Sequence, residues 1–244
     1  MKWLFVIGLA LLSVALLASQ AVDAQKPQQE GAGSQIIKFS GYAWKVKTSR
    51  GNIGPGPNVF SAESVKIDQH GYLHLAIVQA GHRWLCSEVI SERSFGYGEY
   101  RFVLQETANL DINAVLGLFL WETAAPKQHF REMDIEISRW GEEQKPNSQF
   151  VIQPYVRPEN LVRFELPPGR AELSFKWAPG RLFCRAKVRG KVVREFLFTK
   201  GVPEPGLENV RLNNWLYRAA PPSNGKTVEV IIESFKFLPL NKRR

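Results

Sequence analysis

Glu132-Met133-Asp134-Ile135-Glu136, continued by Ile137, alternates acidic and apolar side chains without a break. Successive side chains of an extended strand point to opposite faces. The spacing therefore predicts a strand over 131–139 with Met133, Ile135 and Ile137 on one face and Glu132, Asp134 and Glu136 on the other. The apolar face suits a core. The acidic face forms a row of three carboxyls, each near enough to its neighbour to disturb that neighbour's ionisation. Strands commonly set acidic side chains among basic ones, but Arg131 and Arg139 have the opposite parity and leave the row unrelieved. A solvent-facing acidic strand is the plain reading, and acid/base chemistry is the sharper one.

The same period-2 pattern recurs on both sides of this stretch. Tyr42 to Val46, Tyr72 to Val78 and Gly98 to Leu104 alternate, and further strand signals cover 113–121, 149–156, 171–177, 181–188, 191–198, 209–216 and 227–237. Breaks at Gly54-Pro-Gly-Pro, Gln69-His-Gly, Pro167-Pro-Gly, Ala178-Pro-Gly, Arg189-Gly and Pro221-Pro-Ser-Asn-Gly separate them. Regularly spaced short strands with such turns predict an all-β, antiparallel sandwich. The sequence has no long amphipathic helix, heptad pattern or internal repeat, and the stretch around Ala124-Ala-Pro-Lys reads as a loop leading into the acidic strand. Two large curved sheets would give one concave face, a groove suited to an extended polymer.

At 244 residues the chain suits one large domain. Lys2, the apolar run Trp3 to Ala18 and the small-residue site Val22-Asp23-Ala24 have the layout of a secretory signal peptide. The run is shorter than the ~20 residues of a spanning helix, so cleavage near Ala24 is preferred over a retained anchor. The expected organisation is 1–24 signal peptide, 25–35 flexible leader and 36–240 a single domain, secreted or periplasmic. The net charge is +9 and stays so after removal of 1–24, which holds one lysine and one aspartate. That charge suits solubility and loose adhesion to anionic surfaces. The scattered basic residues argue against a nucleic-acid partner, no membrane partner is expected beyond the export signal, and a monomer is the default. Cys86 and Cys184 both lie in strand-like surroundings, where a disulfide and two buried thiols are equally compatible with the sequence.

The run Glu132-Met-Asp-Ile-Glu136 resembles the E-x-D-x-E signature of family 16 glycoside hydrolases, a group that includes licheninases, laminarinases, agarases and carrageenases. Further pieces resemble the family in the same order: Gly71-Tyr-Leu-His-Leu, Cys86-Ser-Glu-Val, Phe95-Gly-Tyr-Gly-Glu-Tyr, Gln149-Phe-Val-Ile-Gln-Pro-Tyr, Leu212-Asn-Asn-Trp and Val230-Ile-Ile-Glu-Ser-Phe. Together they span roughly 38–238. The resemblance implies a concanavalin A-like jelly-roll β-sandwich and a retaining endo-β-glycosidase acting on a β-glucan or related polysaccharide. It implies Glu132 as nucleophile, Glu136 as general acid/base and Asp134 as the carboxyl that supports the nucleophile. Retention needs two carboxyls roughly 5–5.5 Å apart, whereas positions four apart on a strand are roughly 13 Å apart at Cα. The two glutamates must therefore lean together.

Trp215 and Asn213 share parity on one predicted strand, and Gln149, Gln153 and Tyr155 on another. The resemblance implies cleft roles for Trp215, Asn213, Gln153, Glu88, Tyr155, Asn58 and Phe130, with Glu88 on a sugar hydroxyl and Phe130 where licheninases carry tryptophan. Ser138 and Trp140 share the acids' parity and extend the floor. Two departures stand out: Ile90 replaces a licheninase arginine two residues past Glu88, and Ile-Ser-Arg-Trp-Gly follows Glu136. No cofactor is required and no metal site is expected. A structural calcium occurs in some family members and Glu233 is its candidate ligand, but no acidic cluster supports it. Phosphate-binding, zinc and serine-elbow signatures are absent. A non-catalytic lectin-like binder and a transglycosylase on the same fold are the competing readings.

Overall fold

The computed structural model describes residues 35–107 and 110–240. The expected signal peptide and all of the leader but Gln35 lie outside the described residues. Gln35 already belongs to the fold, since its carbonyl accepts the Val46 N–H at 2.8 Å.

Among the described residues sixteen strands follow one another: β1 (Ile36–Phe39), β2 (Tyr42–Val46), β3 (Val59–Phe60), β4 (Val65–Ile67), β5 (Leu73–Ala80), β6 (Arg83–Ser91), β7 (Gly98–Leu104) and β8 (Ala114–Trp121). Then come β9 (Met133–Ile137), β10 (Ser148–Ile152), β11 (Leu161–Phe164), β12 (Ala171–Ala178), β13 (Arg181–Val188), β14 (Lys191–Phe198), β15 (Asn209–Leu216) and β16 (Val228–Pro239). Four short 3₁₀ turns are the helical elements among the described residues.

Fifteen of the strands form two antiparallel layers, and β3 pairs in parallel with β6. One layer runs β11-β10-β9-β8-β15-β6-β2-β1 and the other β4-β5-β16-β7-β12-β13-β14. The β5–β6 hairpin joins them: β6 pairs with β5 over Arg83–Leu85 and then crosses to pair with β15 and β2. This is the antiparallel sandwich expected from the strand pattern, in the jelly-roll form that the family resemblance implies.

The core between the layers explains the alternation. Met133, Ile135 and Ile137 on β9 are buried among Phe150, Phe102, Phe175 and Trp44. Buried aromatics keep their polar ends bonded: Trp44 Nε1 donates to Phe39 O at 3.1 Å, Tyr100 Oη to Gly96 O at 2.6 Å and Trp177 Nε1 to Pro203 O at 3.0 Å. Cys86 and Cys184 are both buried and free. Burial pushes the Cys86 thiol up to about 12 and raises that of Cys184 as well, so neither carries a reactive thiolate.

Two sequence expectations need correction, and one strand was not foreseen. The strand expected over 149–156 ends at Ile152, because Pro154 lacks the N–H that a ladder needs. The acidic strand is shorter than 131–139: Pro126–Arg131 form a 3₁₀ turn with His129, Phe130 and Arg131 all at positive φ, and pairing starts at Met133. Strand β11 gave no clear signal, being four residues set between Pro158 and Pro167.

Candidate active site

The outward faces of six adjacent strands line a cleft of about 440 Å³. Its floor can be read from strand register. Glu136 on β9 lies opposite Gln149 on β10 and Gly117 on β8; Gln149 lies opposite Arg163 on β11; Gly117 lies opposite Asn213 on β15; Asn213 lies opposite Glu88 on β6. A single row thus runs Arg163, Gln149, Glu136, Gly117, Asn213, Glu88. One step along the strands, Asp134 lies between Val151 and Phe119, with Arg211 beyond. Glu132 closes the acidic column, its carbonyl accepting the Gln153 N–H at 3.1 Å.

The three acids have unlike partners. Gln149 Nε2 donates to Glu136 Oε2 at 2.5 Å. Asp134 is hydrogen-bonded to Glu132 and to the Gln153 side chain. Gln153 is itself oriented because its Oε1 accepts the Tyr155 N–H at 2.9 Å. Burial raises all three carboxyls, and repulsion adds to it at Glu132 and Asp134. Glu132 is pushed to about 8 by burial and by Glu136; Glu136 is pushed to about 7 by burial, against the pull of Gln149 and Arg163. Asp134 is raised well above the carboxylate range by burial and by both glutamates. The Glu132–Asp134 hydrogen bond favours the charge on Glu132 and the proton on Asp134. At neutral pH the row therefore holds protons, as like charges in a desolvated site require.

Glu88 behaves differently. Burial opposes its charge, but Lys47 and Arg211 outweigh that and hold its carboxyl below the usual range. Lys47 Nζ reaches Glu88 Oε2 at 2.8 Å and Arg211 Nη1 reaches Oε1 at 3.1 Å, all three groups being almost fully buried. Lys47 also donates to Gly54 O at 2.8 Å, tying the 53–58 loop to the floor. Asn213 Nδ2 contacts Glu88 Oε2 at 3.5 Å. Gly117 makes room for that asparagine, since a Cβ there would lie 2.5 Å from Asn213 Oδ1. Ile90, the departure from the family pattern, lies in register with Arg211, so the neighbouring strand supplies a guanidinium to Glu88.

Aromatic rings stand at both ends of the acidic column. Trp121 stacks on Phe130 at 4.1 Å and 9° at the Glu132 end. Trp140 meets Trp215 at 6.4 Å and Tyr217 at 5.7 Å at the other. Trp140 sits at φ 55°, its N–H held by Ser138 Oγ at 2.9 Å while Ser138 Oγ donates to Ala114 O at 2.8 Å.

Of the residues singled out in the sequence, Glu132, Asp134, Glu136, Trp215, Asn213, Gln153, Glu88 and Tyr155 line the cleft. Tyr155 is at the rim, 60% exposed. Glu88 is committed to its two cations and is a buried floor charge. Asn58 lies behind the wall: its Nδ2 donates to Pro55 O and Leu216 O, both at 2.9 Å, and its Oδ1 accepts from Cys86 Sγ. It shapes the loop beneath Trp215 and does not face the cleft. Phe130 acts by buttressing Trp121 and does not form the wall itself. Arg139 is turned away to Glu165, Arg131 to Glu122, and Glu233 is occupied by Arg170 at 2.7 Å.

Lys47, Gly117, Trp121, Lys145, Arg163, Arg211 and Tyr217 also line the cleft and were not anticipated. Arg211 had a readable signal, sharing parity with Asn213 and Trp215. The others depend on cross-strand register. Six of the nine unpartnered buried side-chain polar atoms among the described residues belong to cleft-lining residues: Asp134, Trp140, Gln149, Arg163, Arg211 and Asn213. Buried polar groups are normally satisfied, so this concentration marks a surface prepared for a polar, hydroxyl-bearing ligand.

No protein-family model matches the chain. No curated protein matches it either. Solved structures do share its fold. A β-glucanase of Bacillus licheniformis superposes with a TM-score of 0.62 at 18% identity, covering 84% of this chain and 98% of that one. The laminarinase of Flavobacterium sp. UMI-01 gives 0.60 at 12% identity, covering 85% and 96%. A β-1,3-glucanase of Mycobacterium marinum gives 0.58 at 13% identity, covering 85% and 95%. The chain thus has the jelly-roll architecture of these proteins over nearly their whole length.

Proposed function

We propose that the chain is an exported, retaining endo-β-glycosidase that hydrolyses a β-glucan or related polysaccharide by double displacement. One observation carries this reading: Glu132, Asp134 and Glu136 share one strand face on the floor of an aromatic-walled cleft, with raised proton affinities and few competing bonds. The fold shared with β-glucanases supports it. Export rests on the signal-like residues 1–24.

The chemistry follows from the two partnerships. The reactive state carries the row's protons on Asp134 and Glu136: the hydrogen bond from Asp134 favours the charge on Glu132, whose carboxylate then attacks the anomeric carbon. Glu136, titrating near neutrality, gives its proton to the departing glycosidic oxygen. The bond from anomeric carbon to leaving oxygen breaks as the bond to Glu132 forms. Glu136, now ionised and steadied by the Gln149 amide, takes a proton from water, which displaces Glu132 and restores the starting configuration. The aromatic faces at either end hold sugar rings through their apolar C–H surfaces.

Digestion of a panel of β-glucans and β-galactans, with products sized, tests the assignment. The wild-type chain should release oligosaccharides from at least one polymer. Glu132→Gln should lower that rate by about 10³-fold or more; undiminished cleavage would remove Glu132 as nucleophile, and binding without turnover by the wild type would favour a lectin.

A further inference from the structure

Four basic side chains line the cleft, and three of them are paired. Lys47 and Arg211 share Glu88, and Lys145 holds Glu142 at 2.7 Å. Arg163 has no ion-pair partner among the described residues; Glu165, two residues away, is taken by Arg139 at 2.7 Å. Arg163 sits on β11, opposite the Gln149 that grips Glu136. Its guanidinium lies 5.7 Å from the centroid of the Trp140 ring. Its Nη1 is buried without a hydrogen-bond partner, and so is Trp140 Nε1 beside it.

A guanidinium offers five N–H donors in a fixed fork that matches carboxylate and sulfate oxygens two at a time. Burying one of those donors unpartnered is unfavourable, and an aromatic face nearby attracts the cation without using the donors. A neutral hydroxyl would satisfy a donor but not the charge. Burial lowers the Arg163 pKa while Glu136 and Glu142 raise it only at a distance. This side chain is therefore a half-buried cation that no carboxylate among the described residues holds in an ion pair.

We propose that Arg163, beside the Trp140 ring, forms a subsite for an anionic substituent, a sulfate ester or a carboxylate, on the sugar bound at the Glu136 end of the cleft, so that the substrate is an acidic polysaccharide. The saccharide part rests on the glycosidase reading; the anion part does not require turnover.

Two matched pairs test it at about 0.15 M salt, where loose attraction to a chain of net charge +9 is screened. One is a sulfated galactan and its desulfated form, the other a uronate-bearing β-glycan and its carboxyl-reduced form. The kcat/KM of the wild type should favour one anionic member over its neutral counterpart by at least about tenfold. Arg163→Gln should reduce that ratio by about tenfold or more, Arg163→Lys should retain part of it, and Lys191→Ala on the far strand β14 should leave it unchanged. The pair that responds identifies sulfate or carboxylate. No preference in either pair would overturn the proposal, as would an equal loss on both members in Arg163→Gln, the result expected if the arginine only adjusts Glu136. Calorimetric titration of Glu132→Gln with the matching oligosaccharides gives a readout without turnover: the anionic one should bind at least about tenfold tighter, and adding Arg163→Gln should abolish the difference. Arg163-dependent anion binding with no cleavage by the wild type would sink the hydrolase reading alone. Cleavage of neutral glucan with equal affinity for both forms would sink the anionic subsite alone.

Discussion

Gly117 shows how one missing Cβ can shape a cleft. It lies between Glu136 and Asn213 in the central row, and a methyl group there would lie 2.5 Å from Asn213 Oδ1. Gly117→Ala should displace the asparagine amide from its place on Glu88, lowering kcat/KM by about 10- to 100-fold and destabilising the fold by about 1–3 kcal/mol. Unchanged kinetics would mean that Asn213 does not touch substrate. At this scale the sequence was readable wherever parity alone decides: the three acids, Asn213 and Trp215 face the cleft as the alternation requires. It misled at Asn58, and at Glu88 it showed the place but not the partners, since both residues depend on groups far along the chain. Asn58 bonds to Leu216 O, and Glu88 is held by Lys47 and Arg211. Nothing local in a sequence announces such a pairing.

At the scale of the element, β9 was legible because its period is unbroken over five residues, whereas its approach was not. His129, Phe130 and Arg131 take φ of 50°, 58° and 52°, a run of left-handed backbone immediately before Glu132. Each such residue costs about 1–2 kcal/mol in an L-amino acid, and such strain clusters at functional sites. Here it brings Phe130 onto Trp121 and Arg131 onto Glu122 at 2.7 Å, fixing where the acidic column begins. Loop chemistry in Lys127-Gln-His-Phe contains no glycine to advertise that geometry. His129→Gly should relieve part of the strain, gaining about 0.5–1 kcal/mol after the added freedom of the unfolded chain is subtracted. A melting midpoint raised by about 2–4 °C per kcal/mol is the expected readout; a lowered midpoint would show that the histidine side chain contributes more than its backbone costs. The β11 strand escaped notice for a related reason, since four residues between prolines are too few for periodicity to register, yet β11 carries Arg163.

For the whole molecule, the acidic column sets a pH dependence of stability. Its carboxyls are raised on folding, so the folded state binds protons more tightly than the unfolded chain. Their favourable contribution is complete below the unfolded values of about 4. It is lost as pH rises through the folded values of about 7 for Glu136 and about 8 for Glu132. Asp134→Asn removes one of the three titrating groups. Its melting midpoint, relative to wild type, should therefore be higher at about pH 8.5 than at about pH 5, by about 2–4 °C per kcal/mol of repulsion relieved. A difference independent of pH would mean that the three groups do not repel one another. The sandwich as a whole was legible from strand spacing and turn residues, because two-layer packing needs little beyond alternation. The register that assembles Arg163, Gln149, Glu136, Gly117, Asn213 and Glu88 into one row is a property of the folded sheet, with contributions from six strands and long sequence separations.

The central claim is that Glu132 attacks the anomeric carbon while Glu136 handles the proton. Azide rescue of Glu132→Ala on a polymer that the wild type cleaves measures this most directly, because azide can enter the space of a missing nucleophile and its product records the face of attack. The expected result is a nearly inactive variant whose turnover returns with azide, releasing a glycosyl azide of α configuration from a β-linked substrate. Normal cleavage by Glu132→Ala without azide, or a rescued product of β configuration, would contradict it.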